Sequence, residues 1–264
     1  MKGRFRALQI LMLMTGFTFL YAPIVILAVM SFNNSRLVSV WGGFSTRWYV
    51  ALLDNEQLMH SAWISLADAT LSAILSTLLG LLAAVALARF GTFRFRTMFF
   101  GAIHAPLVLP EVVLGLALLS CFVALGVGRG FTTLVIGHVT FTMCFTTVAL
   151  LSSLRQTDPT LEEAAMDLGA TPFSAFILVA LPQISPAIAS AFILAFSLAL
   201  DDLVVASFAT GPGATTLPMR IYSQVRLGVS PQINAMSTLL LGMVAIALGT
   251  GALILRPGSR RISR

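Results

Sequence analysis

Charge is scarce in this chain: only 10% of its 264 residues are Asp, Glu, Lys or Arg, against about 25% in an ordinary soluble domain. That shortfall excludes a disordered chain, a coiled coil and a normal cytosolic enzyme. Lysine is scarcer still, since Lys2 is the single lysine among 16 basic residues. A nucleotide-binding P-loop needs a lysine behind its glycines to reach the phosphates, so ATP hydrolysis by that chemistry is excluded. The only two cysteines, Cys121 and Cys144, lie inside apolar runs without a C-x-x-C; both read as buried small hydrophobes, not as a disulfide or a metal site. The three histidines, His60, His104 and His138, are far apart. They show no H-E-x-x-H or Cys/His spacing, so no metal centre and no catalytic residue is expected, and each reads as a helix-packing or interfacial group.

What the chain has instead is apolar residues, at 58%. A membrane-crossing helix takes about 20 of them in succession. Six segments qualify, at about 8–30, 62–88, 98–125, 131–152, 184–208 and 235–255. The third is interrupted by Pro106 and Pro110, which remove backbone donors and kink a helix. The first is longer than a signal-peptide core, carries Pro23 and lacks a clear cleavage site, so it reads as a retained span. The net charge of +6 would raise nucleic-acid binding in a soluble protein, but the arginines are scattered between the apolar segments. They orient it: with the N-terminus inside, eleven basic residues, among them Arg89, Arg94, Arg96, Arg155, Arg256, Arg260, Arg261 and Arg264, face the cytoplasm and five face out. That is the positive-inside asymmetry, and six spans return the C-terminus to the cytoplasm. Residues 1–264 read as one all-α polytopic domain in a lipid bilayer, with no nucleic-acid partner.

Four carboxylates, Asp68, Glu111, Asp201 and Asp202, fall in or at the ends of apolar segments. Each costs at least about 2.5–3.5 kcal/mol at bilayer depth, so each is expected to face a cavity or a partner. At 1.5 Å per residue, Glu111 lies about 20 Å, and Asp201 and Asp202 about 26 Å, from the inner surface. Neighbours on a helix point about 100° apart, so one of Asp201 and Asp202 can face a pathway while the other meets Arg220 or Arg226, or caps a helix. Internal salt bridges would account for any one acid. A cation route would account for all four, with aromatic faces such as Trp41 or Trp48 holding methylenes or charge.

The inner segment 158–182 reads DPTLEEAAMDLGATPFSAFILVALP. Asp158 or Thr160 can cap a helix with Pro159 in its first turn. Leu161, Ala164, Ala165 and Leu168 recur at helical spacing, with Glu162, Glu163 and Asp167 on the more polar side. Gly169 stops that helix. Thr171 and Pro172 start a second, and Pro182 turns the chain back to the membrane. On these residues alone an ordinary amphipathic loop on the bilayer is an equal reading.

Glu163-Ala164-Ala165, three residues, Gly169 and then Leu181-Pro182 resemble the EAA loop of binding-protein-dependent ABC importer permeases. Residues 197–239, with LDDLVVASF at their start, and 32–53 resemble polyamine importer permeases, nearest to those for putrescine. The resemblance extends over nearly the whole chain. It implies the type I ABC importer permease fold: six transmembrane helices with a cytoplasmic helix–Gly–helix coupling loop. It implies import of putrescine, or spermidine, across a bacterial inner membrane by alternating access, through a transport subunit that is not itself an enzyme. The implied partners are a sister permease, a dimer of ATPase subunits that carries the ATP and Mg, and a periplasmic polyamine-binding protein; no cofactor is implied on this chain. Glu163, Ala164, Ala165, Gly169, Leu181 and Pro182 would couple to the ATPase. Glu162 and Asp167 would meet basic residues of that partner. Asp201, Asp202 and Glu111 would line the substrate pathway, with Trp41 and Trp48 as cavity or gate residues. Glu111 departs from the aspartate the family commonly has there. The rival readings are a type I permease for another small solute, such as an amino acid, and a secondary transporter.

Overall fold

The computed structural model describes residues 2–37, 40–227 and 231–254. The inner-side arginines Arg256, Arg260, Arg261 and Arg264 lie outside them. Contacts gather the chain into two compact units, Met1–Met59 with Ile221–Arg264, and His60–Arg220.

In the first unit, α1 (Lys2–Met30) is apolar and unbroken from Gln9 to Met30. At 1.5 Å per residue those residues reach across the ~30 Å hydrocarbon core. Beyond it, Asn33 organises a tight loop. Its side-chain amide donates to the Val40 carbonyl (2.7 Å) and its Oδ1 accepts from the N–H groups of Ser35 (3.1 Å) and Gly42 (2.7 Å). The loop delivers α2 (Arg47–Leu53), against which the final helix packs through Asn55 and Gln232 (3.1 Å).

The second unit holds the remaining long helices. The segments expected at 62–88 and 131–152 are α3 (Glu56–Arg89) and α6 (Phe131–Gln156), both unbroken. Leu87, Leu150, Leu154, Ile184 and small alanines between them form a buried core. Gly80 sets how closely α3 approaches α6, since a Cβ there would run into Thr146. The Thr146 hydroxyl donates to the Ser76 carbonyl at 2.7 Å.

Two expected spans are broken, not merely kinked. Residues 98–125 form α4 (Arg96–Val108) and α5 (Glu111–Ala124), which turn through 117°. Pro110 forces the residue before it out of the α region. Leu109 accordingly has ψ 137°, and the helix cannot continue. The segment at 184–208 likewise splits. The short pieces α7 (Thr160–Asp167), α8 (Pro172–Ala175) and α9 (Leu181–Gln183) lead into α10 (Ser185–Asp201), followed by α11 (Val204–Ala209). From Pro172–Gln183 to Ser185–Asp201 the chain bends by 69°. α12 (Leu217–Leu227) and α13 (Pro231–Ile254) complete the chain. Cys144 is buried as expected; Cys121 is exposed on α5 and does not fill a core position.

Candidate functional site

The intramembrane acids separate into different roles. α10 ends because Asp202 adopts extended backbone angles (φ −65°, ψ 131°). That places Asp202 just ahead of α11, where its carboxylate accepts from the N–H groups of Ala206 (2.7 Å) and Val205 (3.4 Å). A carboxylate is favoured at a helix N-terminus, where the N–H groups are unpaired and the dipole is positive. Its Oδ2 also meets Nε2 of His138 at 3.1 Å. On the opposite edge of the ring, Nδ1 meets Oδ2 of Asp68 at 2.5 Å, and Asp68 accepts from the Ser72 hydroxyl at 3.3 Å. Asp68 and His138 have no exposed surface, and Asp202 is 7% exposed. Sequence reasoning reserved Asp202 for the pathway, an arginine or a helix cap. It is a cap whose partner is His138.

Asp201 is different. It is the last residue of α10 and is exposed. There it sits among the terminal carbonyl groups, at the negative end of the helix dipole. A carboxylate at that end is locally unfavourable unless a cation comes to it. Broken transmembrane helices hold cations in this way, with half-helix C-terminal ends as ligands. Glu111 is exposed in the first turn of α5, immediately past the 117° bend.

α5 and α11 pack together on α6 through Leu114, Phe141 and Val205. Gly115 permits the approach, because a Cβ there would collide with the Phe208 ring.

In the first unit, Trp48 is committed to structure. Its indole N–H donates to the Asn33 carbonyl at 2.7 Å, and the Arg47 guanidinium lies 4.2 Å from its ring centre. Trp41 is 48% exposed.

The segment 158–182 is the expected helix–Gly–helix. Gly169 has φ +95°, and the hydrogen bonds Gly169 N–H to Met166 O (2.9 Å) and Ala170 N–H to Ala165 O (3.1 Å) make its Schellman C-cap. Thr171 caps α8 by accepting from Ser174 N–H at 3.2 Å. Pro182 has no N–H to give, and the turn before it, Phe176–Ala180, widens to π geometry. Glu163, Ala164, Gly169 and Pro182 are exposed; Ala165 and Leu181 are half-buried. Leu168 and Phe173 are also exposed, which leaves an apolar surface beside them. Glu162 corrects an expectation: its basic partner is Arg89 of this same chain, which also donates to the Thr157 hydroxyl at 3.2 Å.

Comparison with known proteins identifies the family. The family described as binding-protein-dependent transport system inner membrane component matches residues 76–256. The putrescine transport system permease protein PotI of Escherichia coli K12 is 52% identical over 244 residues, 90% of this chain and 87% of that protein. The spermidine/putrescine transport system permease protein PotC of the same strain is 42% identical over 240 residues, 91% and 90% of the two chains. Among solved structures, a bacterial ABC transporter involved in import of the acidic polysaccharide alginate superposes with a TM-score of 0.70, covering 96% of each chain at 17% identity. The MetNI methionine ABC transporter gives 0.63 over 75% of this chain and 94% of that one, at 19% identity. Such identities carry the fold alone. The chain therefore belongs to the binding-protein-dependent transport system inner membrane components, as a multi-pass helical permease of the type I ABC importer fold.

Proposed function

We propose that this chain carries a polyamine, putrescine above all, into the cytoplasm as one half of a two-permease pathway. The observation that carries the reading is Asp201: an exposed carboxylate at the carbonyl end of a broken, otherwise apolar helix. A protonated amine satisfies both the side chain and the helix end, and an anion satisfies neither. The names of the relatives support the same class of solute. Glu111, at the other helix break, is a second anionic contact for the second ammonium of a diamine.

The partners follow from the same reading. A periplasmic binding protein delivers the amine outside. A sister permease supplies the rest of the cavity. Two ATPase subunits, which hold ATP and Mg, grip the coupling helices through the exposed face around Glu163, Ala164 and Gly169. This chain does no chemistry of its own; it converts movement of α7 into opening and closing of the cavity, a rigid-body mechanism. Both termini lie in the cytoplasm.

The test is uptake of labelled putrescine and of spermidine by the reconstituted complex, with and without its binding protein. Binding-protein-dependent accumulation of putrescine is expected, and Asp201→Asn reduces it about tenfold or more, the scale of one charge-assisted contact. No uptake of either amine overturns the substrate assignment, and undiminished uptake by Asp201→Asn and Glu111→Gln overturns the pathway.

A further inference from the structure

Two buried ionisable side chains, Asp68 and His138, have no part in the transport reading above. They are joined to one of the two helix breaks that do, the one at Asp202. A carboxylate can only accept hydrogen bonds, and both ring nitrogens of His138 face one (2.5 and 3.1 Å). With both carboxylates ionised, the ring donates on both sides and is held without rotational freedom. The network then runs from the Ser72 hydroxyl on α3, through Asp68, through His138 on α6, to Asp202 and the first N–H groups of α11. The His138 carbonyl also accepts the Thr142 hydroxyl at 2.7 Å. Oδ2 of Asp202 already accepts from both His138 and Ala206. Asp202 is thus committed to the protein and is not a contact for substrate.

Its immediate neighbour Asp201 is left exposed. Whether Asp201 stays at the end of α10 depends on Asp202 keeping the extended conformation that ends the helix. Two of the hydrogen bonds that fix Asp202 are local to α11; the third is the one from His138. We infer that Asp68 and His138 are positioning residues: a buried clamp that locks the α10–α11 break and thereby presents Asp201 to a passing ammonium group. The inference rests on the cation-pathway reading of Asp201, and it assigns distinct roles to two adjacent acids. Asp201 touches the substrate; Asp202 sets where Asp201 is.

The test uses the whole complex in proteoliposomes, with Cys121 replaced by Ser. Asp201→Cys is labelled with a small cationic methanethiosulfonate, alone and combined with His138→Gln or Asp68→Asn. Gln carries both its donors on one nitrogen and cannot reach carboxylates on opposite sides as the ring does. The labelling rate is expected to fall about fivefold or more in each combination, as a charge-assisted contact is lost. An unchanged rate overturns the clamp, as does an Asp201→Cys that is unreactive by itself. This readout needs no substrate, so it stands whether or not the complex imports a polyamine.

Transport supplies the second arm. His138→Gln and Asp68→Asn raise the apparent KM for putrescine about tenfold with assembly retained, and add nothing further in the Asp201→Asn background, the non-additivity of residues acting through one another. Asp68→Asn is the milder change and serves if His138→Gln fails to assemble. A fall in maximal rate with unaltered KM, equal in both backgrounds, marks a merely structural role and overturns the inference. A complex that imports no polyamine, with labelling still sensitive to His138, sinks the substrate assignment and not the clamp.

Discussion

At the scale of single residues, Arg89 and Glu162 tie α7 to the end of α3. Their side chains are 24% and 15% exposed, so the pair lies between a surface ion pair, worth at most ~1 kcal/mol, and a buried one, costing ~3–5 kcal/mol to break. Removing either partner is expected to loosen α7 from the end of α3 by about 1–2 kcal/mol, which raises the exchange rate of the α7 amides about five- to thirtyfold. The exchanged pair Arg89→Glu with Glu162→Arg should restore most of that protection. Failure of the exchange, with both single variants impaired, would show that the side chains act separately. Asp158, one turn upstream, makes a different prediction. The Thr160 N–H (3.0 Å) and then its hydroxyl (2.8 Å) hold the Asp158 carboxyl below its usual 3.8. A lowered carboxylate stabilises the fold above its unfolded value and loses that contribution only as pH drops through the lowered one. The start of α7 should therefore stay ordered down to pH 3.8, and a carbon-13 titration of Asp158 should find its midpoint below that value; a midpoint at or above it refutes the cap. Asp158 was legible in the sequence because its partner is two residues away. Asp68, His138 and Asp202 were not legible as a unit, because 70 and 64 residues separate the partners. The one local sign was the buried series Ser61, Ser65, Asp68, Ser72 and Ser76, whose spacing of three or four puts a polar stripe on one face of α3.

Among the elements, close packing at glycine decides where the broken helices sit. Gly115→Ala should put a methyl into the Phe208 ring and destabilise the seating of α11 on α5 by about 1–3 kcal/mol, the usual cost of overpacking. Gly101→Ala is the control, since nothing lies within 4 Å of its Cβ position. The melting temperature of the solubilised complex should fall for the first and hold for the second; equal values would remove the packing argument. Gly169 is constrained by its backbone, not by its neighbours. At φ +95° with open space around it, Gly169→Val forces a branched side chain into a left-handed conformation costing about 1–2 kcal/mol. Transport-coupled ATPase activity should fall while the binding protein still docks. The helix–Gly–helix at 158–182 was readable in the sequence because caps and glycine stops are local chemistry. The unbroken helices α3 and α6 were readable because length and apolarity suffice. The breaks at Leu109–Pro110 and Asp202–Leu203 were not, for opposite reasons. A proline inside an apolar run reads equally as a kink or a stop, and its 117° bend is settled by packing of α5 on α11. The second break has no proline or glycine at all, and its cause is a buried carboxylate bound by a histidine from another helix.

For the whole molecule the arginines matter more than any contact. Six apolar segments divide sixteen basic residues into eleven on one side and five on the other, and such a bias fixes which loops remain in the cytoplasm. On the proposed orientation, the Asn33 loop is expected to face out and the turn at 158–182 to face the cytoplasm. A span that failed to cross would put them on the same side, so the orientation and the number of crossings are tested together. Two exposed positions suit the experiment: Thr46, ahead of α2 with no side-chain cap bond, and Thr92, in the connection between α3 and α4. In a chain with Cys121 replaced by Ser, a membrane-impermeant maleimide should label Thr46→Cys in intact spheroplasts and Thr92→Cys only after the membrane is opened. The reverse pattern would invert the protein and place the coupling turn away from any cytoplasmic ATPase. Labelling of both in intact cells would mean that the segment between them does not cross at all. Either result would undo the importer reading at its root, because Asp201 serves as an inward route for a cation only if the helix that carries it begins on the cytoplasmic side.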